Sequence, residues 1–380
     1  MKRSLFDLAR KLKPENVSRE FRDFREGHVY TAARRLMDET WSDFADVDHS
    51  FVREFQTAGF SARVLELALF AALQEQGKEL DRTSAAPDFV VRGATPVAIE
   101  ATTTNPPQGQ EADDAESTAA VRRLIPDDLE AEETEFVFQA GKALRRKLTH
   151  RDAQGLAYWE KPHVDAVPFV LALQSFHSPR ALSHPVGPLA TYLYGLRDIA
   201  TRDGDGSLVL NSQVVTEHRR RYKATPLRSA LFAQPEAEHL AAVIFTNSAT
   251  VSKFARMGTE RGYGPDDVAM ARCGIMYDPD PNAAVPVPFA YVVGDYGPEE
   301  HETFSEGFHV LHNPWARNPV ADGALDGFTE HRLQPDGRLL TTYRRPDYFF
   351  SKTLMSQGDN ALQWVHYKAQ QYLMGMAGHS

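Results

Sequence analysis

Between Ala62 and Leu73 the sequence reads ARVLELALFAAL, apolar almost all the way round a helix, and it carries a single carboxylate, Glu66. A helix that is apolar on most of its circumference is buried on most of it. A buried carboxylate is unfavourable unless it is paired or holds a cation, so Glu66 requires a specific partner. The alternative is a narrow exposed stripe shared with Arg63. Ser61 is the expected N-cap of this helix, which runs to Gln76 and stops at Gly77.

Candidate partners lie just downstream. Strands are expected at Phe89 to Val91 and at Val97 to Thr104, separated by Arg92-Gly93-Ala94-Thr95-Pro96, which is hairpin chemistry. A turn centred on Ala94 sets Asp88 directly across from Glu100. Opposed side chains have β-carbons about 4.5 to 5.5 Å apart, so the two carboxylates repel. A divalent cation between them converts that repulsion into binding, and oxygen ligands of this kind suit Mg²⁺ or Mn²⁺.

The order of a helix with Glu66, then Pro87-Asp88-Phe89, then Ile99-Glu100-Ala101-Thr102, then a helix and a strand, resembles the PD-(D/E)XK nuclease superfamily over roughly residues 61–175. The resemblance implies an α/β fold with a mixed central sheet flanked by helices, a restriction-endonuclease-like core. It further implies that Glu66, Asp88 and Glu100 bind one or two Mg²⁺ ions, that Asp88 and Glu100 are catalytic, and that a lysine two residues after the last acid helps to activate water. Thr102 stands at that lysine position, on the same strand face as Glu100, and a neutral hydroxyl does not replace a cation's charge. Either the core is inactive, or the lysine has migrated. On the helix expected from about Thr134 to His150, Lys147 lies about 20° from Phe136, among Ala140, Leu144 and Leu148, whereas Lys142 falls on the polar side. Lys147 is therefore the candidate for the missing charge. Its other place is along the core edge, with the ammonium in water.

Three regions are expected: an N-terminal helical cap at 1–58, the nuclease-like core at 59–205 with an acidic loop inserted at 105–133, and a C-terminal extension or second lobe at 206–380. Further helices are read near Leu189 to Ala200, Thr250 to Met257 and Asn360 to Met374, and strands at Val167 to Leu173 and Ala241 to Phe245. The formal net charge of -10 runs against a phosphate-binding surface. The imbalance is local, because residues 111–135 hold ten acids against two bases and the rest of the chain is close to neutral. That acidic segment is either a solvated linker or a tethered mimic that competes with phosphates for Lys and Arg side chains. Basic candidates for nucleic-acid contact are Arg219, Arg220, Arg221 and Lys223, with Lys253 and Arg256 on a helix whose start Asn247 or Ser248 is expected to cap.

The implied activity is hydrolysis of phosphodiester bonds, most readily in DNA, with restriction or defence against foreign DNA as the role the resemblance brings. A homodimer is compatible with it. Two rivals remain: a nucleic-acid-binding or assembly module without catalysis, and a hydrolase centred on His309, His312 and Asn313. Trp315 and Arg317 either contact a base or pack on their own domain. The lone cysteine, Cys273, excludes an internal disulfide, and no run of apolar residues long enough for a membrane span or signal peptide is present, so a cytoplasmic protein is expected.

Overall fold

The structure is a computed structural model and describes residues 2–105, 128–178, 180–221, 225–278, 280, 282–283, 285–295, 301–344 and 348–377. The chain opens with helices α1 (Arg19–Glu26), α2 (Thr31–Asp43), α3 (Phe51–Phe55) and α4 (Phe60–Glu75). It continues through β1 (Leu80–Asp81), β2 (Phe89–Val91), β3 (Val97–Thr104), α5 (Leu129–Leu148), β4 (Phe169–Ser175) and α6 (Val186–Tyr194). Two short hairpins follow, β5 (Leu196–Arg202) with β6 (Leu208–Val214), and β7 (Glu217–His218) with β8 (Leu227–Arg228). The rest comprises β9 (Leu240–Thr246), α7 (Val251–Glu260), β10 (Val268–Met276), β11 (Val287–Val292), β12 (Phe308–His312), β13 (Thr329–Leu333), β14 (Leu339–Thr342), β15 (Tyr348–Gln357) and α8 (Ala361–Ala377).

The fold is α/β, built on one mixed eight-stranded sheet in the order β1-β2-β3-β4-β9-β12-β13-β14. Strands β3, β4 and β9 run parallel in the middle, and antiparallel neighbours flank them. Such central strands are buried on both faces, which is why β4 and β9 are apolar runs with no exposed residue. Along β4 the faces alternate. Val170 and Ala172 face a core made with α2, α3, α4 and α7, while Phe169, Leu171 and Leu173 face a second core made with α5 and α6.

The helices at 1–58 are part of the first core. Leu5, Phe21, Leu36, Trp41 and Phe55 pack into the same cluster as the apolar side chains of α4. Helix α2 lies against α7 so closely that a β-carbon at Gly258 would meet the Ala32 carbonyl oxygen at 2.4 Å, so only glycine fits there. The boundary expected at residue 205 runs through the main sheet, since β1 to β4 precede it and β9 and β12 to β14 follow it. The C-terminal part also makes a second sheet, β11-β10-β15, covered by α8.

Several boundaries differ from the sequence expectation for local reasons. Helix α4 begins at Phe60 with Gly59 as its N-cap, which leaves Ser61 inside the first turn. Helix α5 begins at Leu129, because the Asp128 side chain accepts from the Ala131 N–H and Glu130 and Glu132 suit the positive end of the helix dipole. The end of the expected acidic loop is therefore helical. Helix α6 stops at Tyr194, where Gly195 takes up a left-handed φ of 74°, and the residues expected to continue it form β5. Thr250 caps α7, in place of Asn247 or Ser248. Among the described residues no helix is long and apolar enough to cross a membrane.

Candidate functional site

Strands β2 and β3 pair with Phe89 opposite Ile99 and Val91 opposite Val97, the register that a turn centred on Ala94 dictates. One step further along the same register brings Asp88 to Glu100. Backbone hydrogen bonds lock the two together. The Asp88 N–H donates to Glu100 Oε2 at 3.2 Å, and the Ala101 N–H donates to Asp88 Oδ2 at 2.7 Å. Glu100 pairs in register with Leu171 of β4, so it and Thr102 lie on the α5 side of the sheet.

Glu66 is 6% exposed and Glu100 5% exposed. Glu66 is buried rather than on an exposed stripe, and the partner it requires is Arg63, whose Nη1 donates to Glu66 Oε1 at 2.5 Å. Arg63 also holds Glu54. Burial, and next the charge of Asp88, push the Glu66 carboxyl up to about 8, against the pull of Arg63. Burial likewise pushes Glu100 up to about 7, again with Asp88 as the next cause. Asp88 itself is raised by burial, against the Ala101 hydrogen bond and the charges of Lys147, Arg63 and Arg82. Asp88 thus acts electrostatically on both glutamates, and the cations present do not offset the burial of the three acids.

Lys147 comes from the last turn of α5 and reaches the strand. Its Nζ donates to Glu100 Oε1 at 2.6 Å and lies 3.4 Å from the Tyr158 hydroxyl. The helical phase of residue 147 therefore identified a side chain directed at the sheet, while Lys142 is exposed. Arg146 donates from Nη2 to Thr102 Oγ1 at 3.2 Å. Thr102 is buried, and the positive charge absent from its own side chain stands next to it on α5.

Sequence reasoning missed three participants. Tyr158 sits between Lys147 and Phe169, and its acidity is weakened by burial and by Glu100. Arg146, bonded to Thr102, is the second. Arg82 has its guanidinium carbon 3.7 Å from the centre of the Phe44 ring and 4.7 Å from that of Phe89, and the charges of Glu66 and Asp88 both act on it. An arginine in the segment between the expected helix and the expected hairpin carries no periodic signal, so only the fold brings it to the acids.

The basic candidates divide. Arg219 pairs with Glu217, Arg220 with Glu135 at 2.7 Å, and Arg221 lies 3.8 Å from Asp128. Arg180 pairs with Glu132 at 2.7 Å. Acids at the end of the 111–135 segment therefore lie against Arg180, Arg220 and Arg221, whereas Arg219 is held by Glu217. Lys223 lies outside the described residues. Lys253 and Arg256 do not form a surface: they are 0% and 3% exposed. Arg256 makes two 2.7 Å bonds to Glu302, and Lys253 Nζ bonds the Glu306 carbonyl and lies 3.8 Å from Glu302. Their expected contact with a nucleic-acid backbone is corrected by this burial, because α7 is enclosed between α2 and the second sheet rather than lying on the surface.

The rival centre in the C-terminal half is occupied by internal bonding. His309 Nδ1 lies 3.1 Å from His331 Nε2, and His312 Nε2 lies 2.8 Å from Glu330 Oε2. Burial pushes His309 and His331 down to about 4 and about 3, which keeps both neutral. Asn313 holds the carbonyls of Ala237 and Leu240. Trp315 is about half exposed and Cys273 is buried, its thiol pushed up to about 11 by burial. Among the described residues, no three His, Cys, Asp or Glu side chains converge as a ready-made metal cluster. Glu66 is turned to Arg63 and Glu100 to Lys147 instead. No protein-family model, curated protein or solved structure matches the chain.

Proposed function

We propose that the chain is a Mg²⁺- or Mn²⁺-dependent nuclease with a restriction-endonuclease-like core, hydrolysing phosphodiester bonds, with DNA as the first substrate to test. The observation that carries this reading is the contact between Lys147 and Glu100 beside Asp88. Two acids in register, raised by burial, and a lysine brought to them from a helix reproduce the charge pattern of the PD-(D/E)XK family with the lysine moved from residue 102 to residue 147. The donor set fits the cation. Mg²⁺ is commonly held by one or two carboxylates together with waters and substrate phosphate, so Asp88 and Glu100 suffice and a preformed cage of three is not required. Glu66 would assist through its charge, once released from Arg63.

When bound, the cation neutralises charge on the phosphate and acidifies a water. Asp88 is oriented by the Ala101 N–H and presents its carboxylate edge beside Glu100. Lys147 Nζ, held between Glu100 and the Tyr158 hydroxyl, supplies a proton donor and a positive charge where the nucleophile is oriented. Arg146, bonded to Thr102, adds charge on the same face. The soluble partner implied is a nucleic acid, and a role in restriction or defence rests on the resemblance alone.

Purified protein incubated with plasmid, linear and single-stranded DNA and with RNA, each with and without Mg²⁺ or Mn²⁺, tests the proposal. Metal-dependent cleavage that Glu100→Gln abolishes is the expected result. Binding without cleavage in every condition would replace it with the reading favoured by Thr102, an inactive nucleic-acid-binding module.

A further inference from the structure

Arg82 follows β1 directly, and the β1 and β2 register, with Asp81 opposite Val90, sets it across from Phe89. Its guanidinium is stacked on Phe44 and Phe89, two rings anchored in the first core. Its Nε and Nη1 atoms are buried and have no hydrogen-bond partner among the described residues. Neighbouring guanidinium groups differ. Arg63 is bonded to Glu54 and Glu66, Arg92 to Asp81 and the His163 carbonyl, and Arg146 to Thr102.

An arginine does not shed its proton in a protein, so its donors require acceptors wherever it is placed. Leaving them unmet in a buried site is unfavourable by the full desolvation of the group. The ring stack fixes the plane of the guanidinium and keeps it from collapsing onto Glu66 or Asp88. What remains is a planar, pre-oriented guanidinium with unmet donors beside Glu66 and Asp88, whose charges act on it, and such a group matches the oxygens of a phosphate.

We propose that Arg82 is a phosphate clamp, donating to the non-bridging oxygens of a phosphodiester held against Asp88 and Glu100. This rests on the nuclease reading for the choice of a diester. Lys147 offers positive charge to a phosphate from the α5 side, and Arg82 offsets the repulsion of Glu66 and Asp88 from the first-core side. Arg82 is not a pair for Glu66, and its role is binding rather than proton transfer.

The test uses the full chain, as wild type, Arg82→Met and Arg82→Lys. Each is titrated with dimethyl phosphate, a soluble phosphodiester, and with a short DNA duplex over a salt series. Arg82→Met is expected to weaken dimethyl phosphate binding by about tenfold or more, the value of a charge-assisted hydrogen bond, and to lower the salt slope of duplex binding by about one. Arg82→Lys is expected to recover the salt slope but only part of the affinity, because it keeps the charge and loses the planar, ring-stacked donors. Melting temperature separates binding from structure. A clamp predicts that Arg82→Met melts at or above wild type, since the unmet donors are gone. The proposal is overturned if wild type does not bind dimethyl phosphate, or if Arg82→Met binds it equally well and only melts lower. Wild type that binds dimethyl phosphate through Arg82 but cuts no nucleic acid in Mg²⁺ would remove the nuclease reading and leave the clamp standing.

Discussion

Glu302 and Glu100 are both buried acids with cations beside them, and their surroundings move them in opposite directions. Around Glu302, Arg256 makes two bonds, Arg272 lies 3.5 Å away and Lys253 3.8 Å away, and these charges hold its carboxyl down at about 2 against burial. Around Glu100, one lysine stands against burial and the charge of Asp88, and the carboxyl is pushed up to about 7. In the first network the acid's charge is compensated, with Arg272 Nη2 the buried donor there that has no hydrogen-bond partner among the described residues. This network ties α7 to β10 of the second sheet and to the segment before β12, and it gives a structural reason for the burial of Lys253 and Arg256. The second is short of positive charge, and a divalent cation would supply it. A buried acid compensated by cations marks a joint in this molecule, and under-compensated buried acids mark its proposed site.

The largest effect expected from this contrast is on stability at the joint. Glu302→Ala leaves three buried cations without their shared acid, and breaking a buried pair in this way typically costs about 3 to 5 kcal/mol. Urea or thermal unfolding checks it. Glu100→Gln removes an acid that Asp88 repels, so unfolding without metal is expected at wild-type stability or above while cleavage is lost. Equal destabilisation by the two variants would erase the distinction.

The next effect concerns Lys147. Lys147→Ala is expected to lower the cleavage rate by about 10²- to 10⁴-fold, the span of a lost proton-transfer group, with Lys142→Ala near wild type. Thr102→Lys in the Lys147→Ala background restores the family spacing, and partial recovery of turnover is expected. Equal small losses for both lysines would remove Lys147 from the site.

A smaller effect should follow pH. The folded state keeps protons on Glu66 and Glu100 up to about 8 and about 7, whereas the unfolded chain releases them near ordinary carboxylate values, about 4.3. Their contribution to stability is therefore complete below that range and lost as pH rises through 7 to 8. Glu302 has the opposite sign: its contribution is present above the ordinary range and lost as pH falls towards 2. Melting temperature without divalent cation should decline between pH 6 and 8 in wild type and decline less in Glu100→Gln, as a thermal scan at about those pH values would record.

The smallest effect lies at the acidic segment. Arg220 and Arg221 are tied to Glu135 and Asp128, which are partly exposed pairs worth about 0 to 1 kcal/mol each. Glu135→Gln with Asp128→Asn is expected to tighten nonspecific duplex binding only a few-fold, and only at low salt, where such charges are least screened. Unchanged binding by fluorescence anisotropy would leave the segment as a linker.

What the sequence made legible was local and periodic. A hairpin centred on Ala94 fixes its own register, so Asp88 opposite Glu100 could be read from spacing, and a helix fixes its own phase, so Lys147 could be turned towards the sheet before any fold was known. Arg82 and Tyr158 reach the site from irregular segments and had no such signal. Lys253 and Arg256 misled for a related reason. Three residues apart, they read as one charged helix face, and the partner that draws them inward, Glu302, lies 46 residues beyond Arg256. The helices before residue 58 read as an added cap because their amphipathic pattern does not reveal which surface their apolar side covers. That surface is the core of α4.

Calorimetric titration of the full chain with Mn²⁺, compared with Asp88→Asn and Glu100→Gln at a pH near 8, decides whether these acids hold a cation. Wild type is expected to bind Mn²⁺ with release of protons, because Glu66 and Glu100 are partly protonated before the ion enters, and both variants are expected to bind at least about tenfold more weakly. Indistinguishable titrations for the three proteins, or no binding by the wild type, would contradict it.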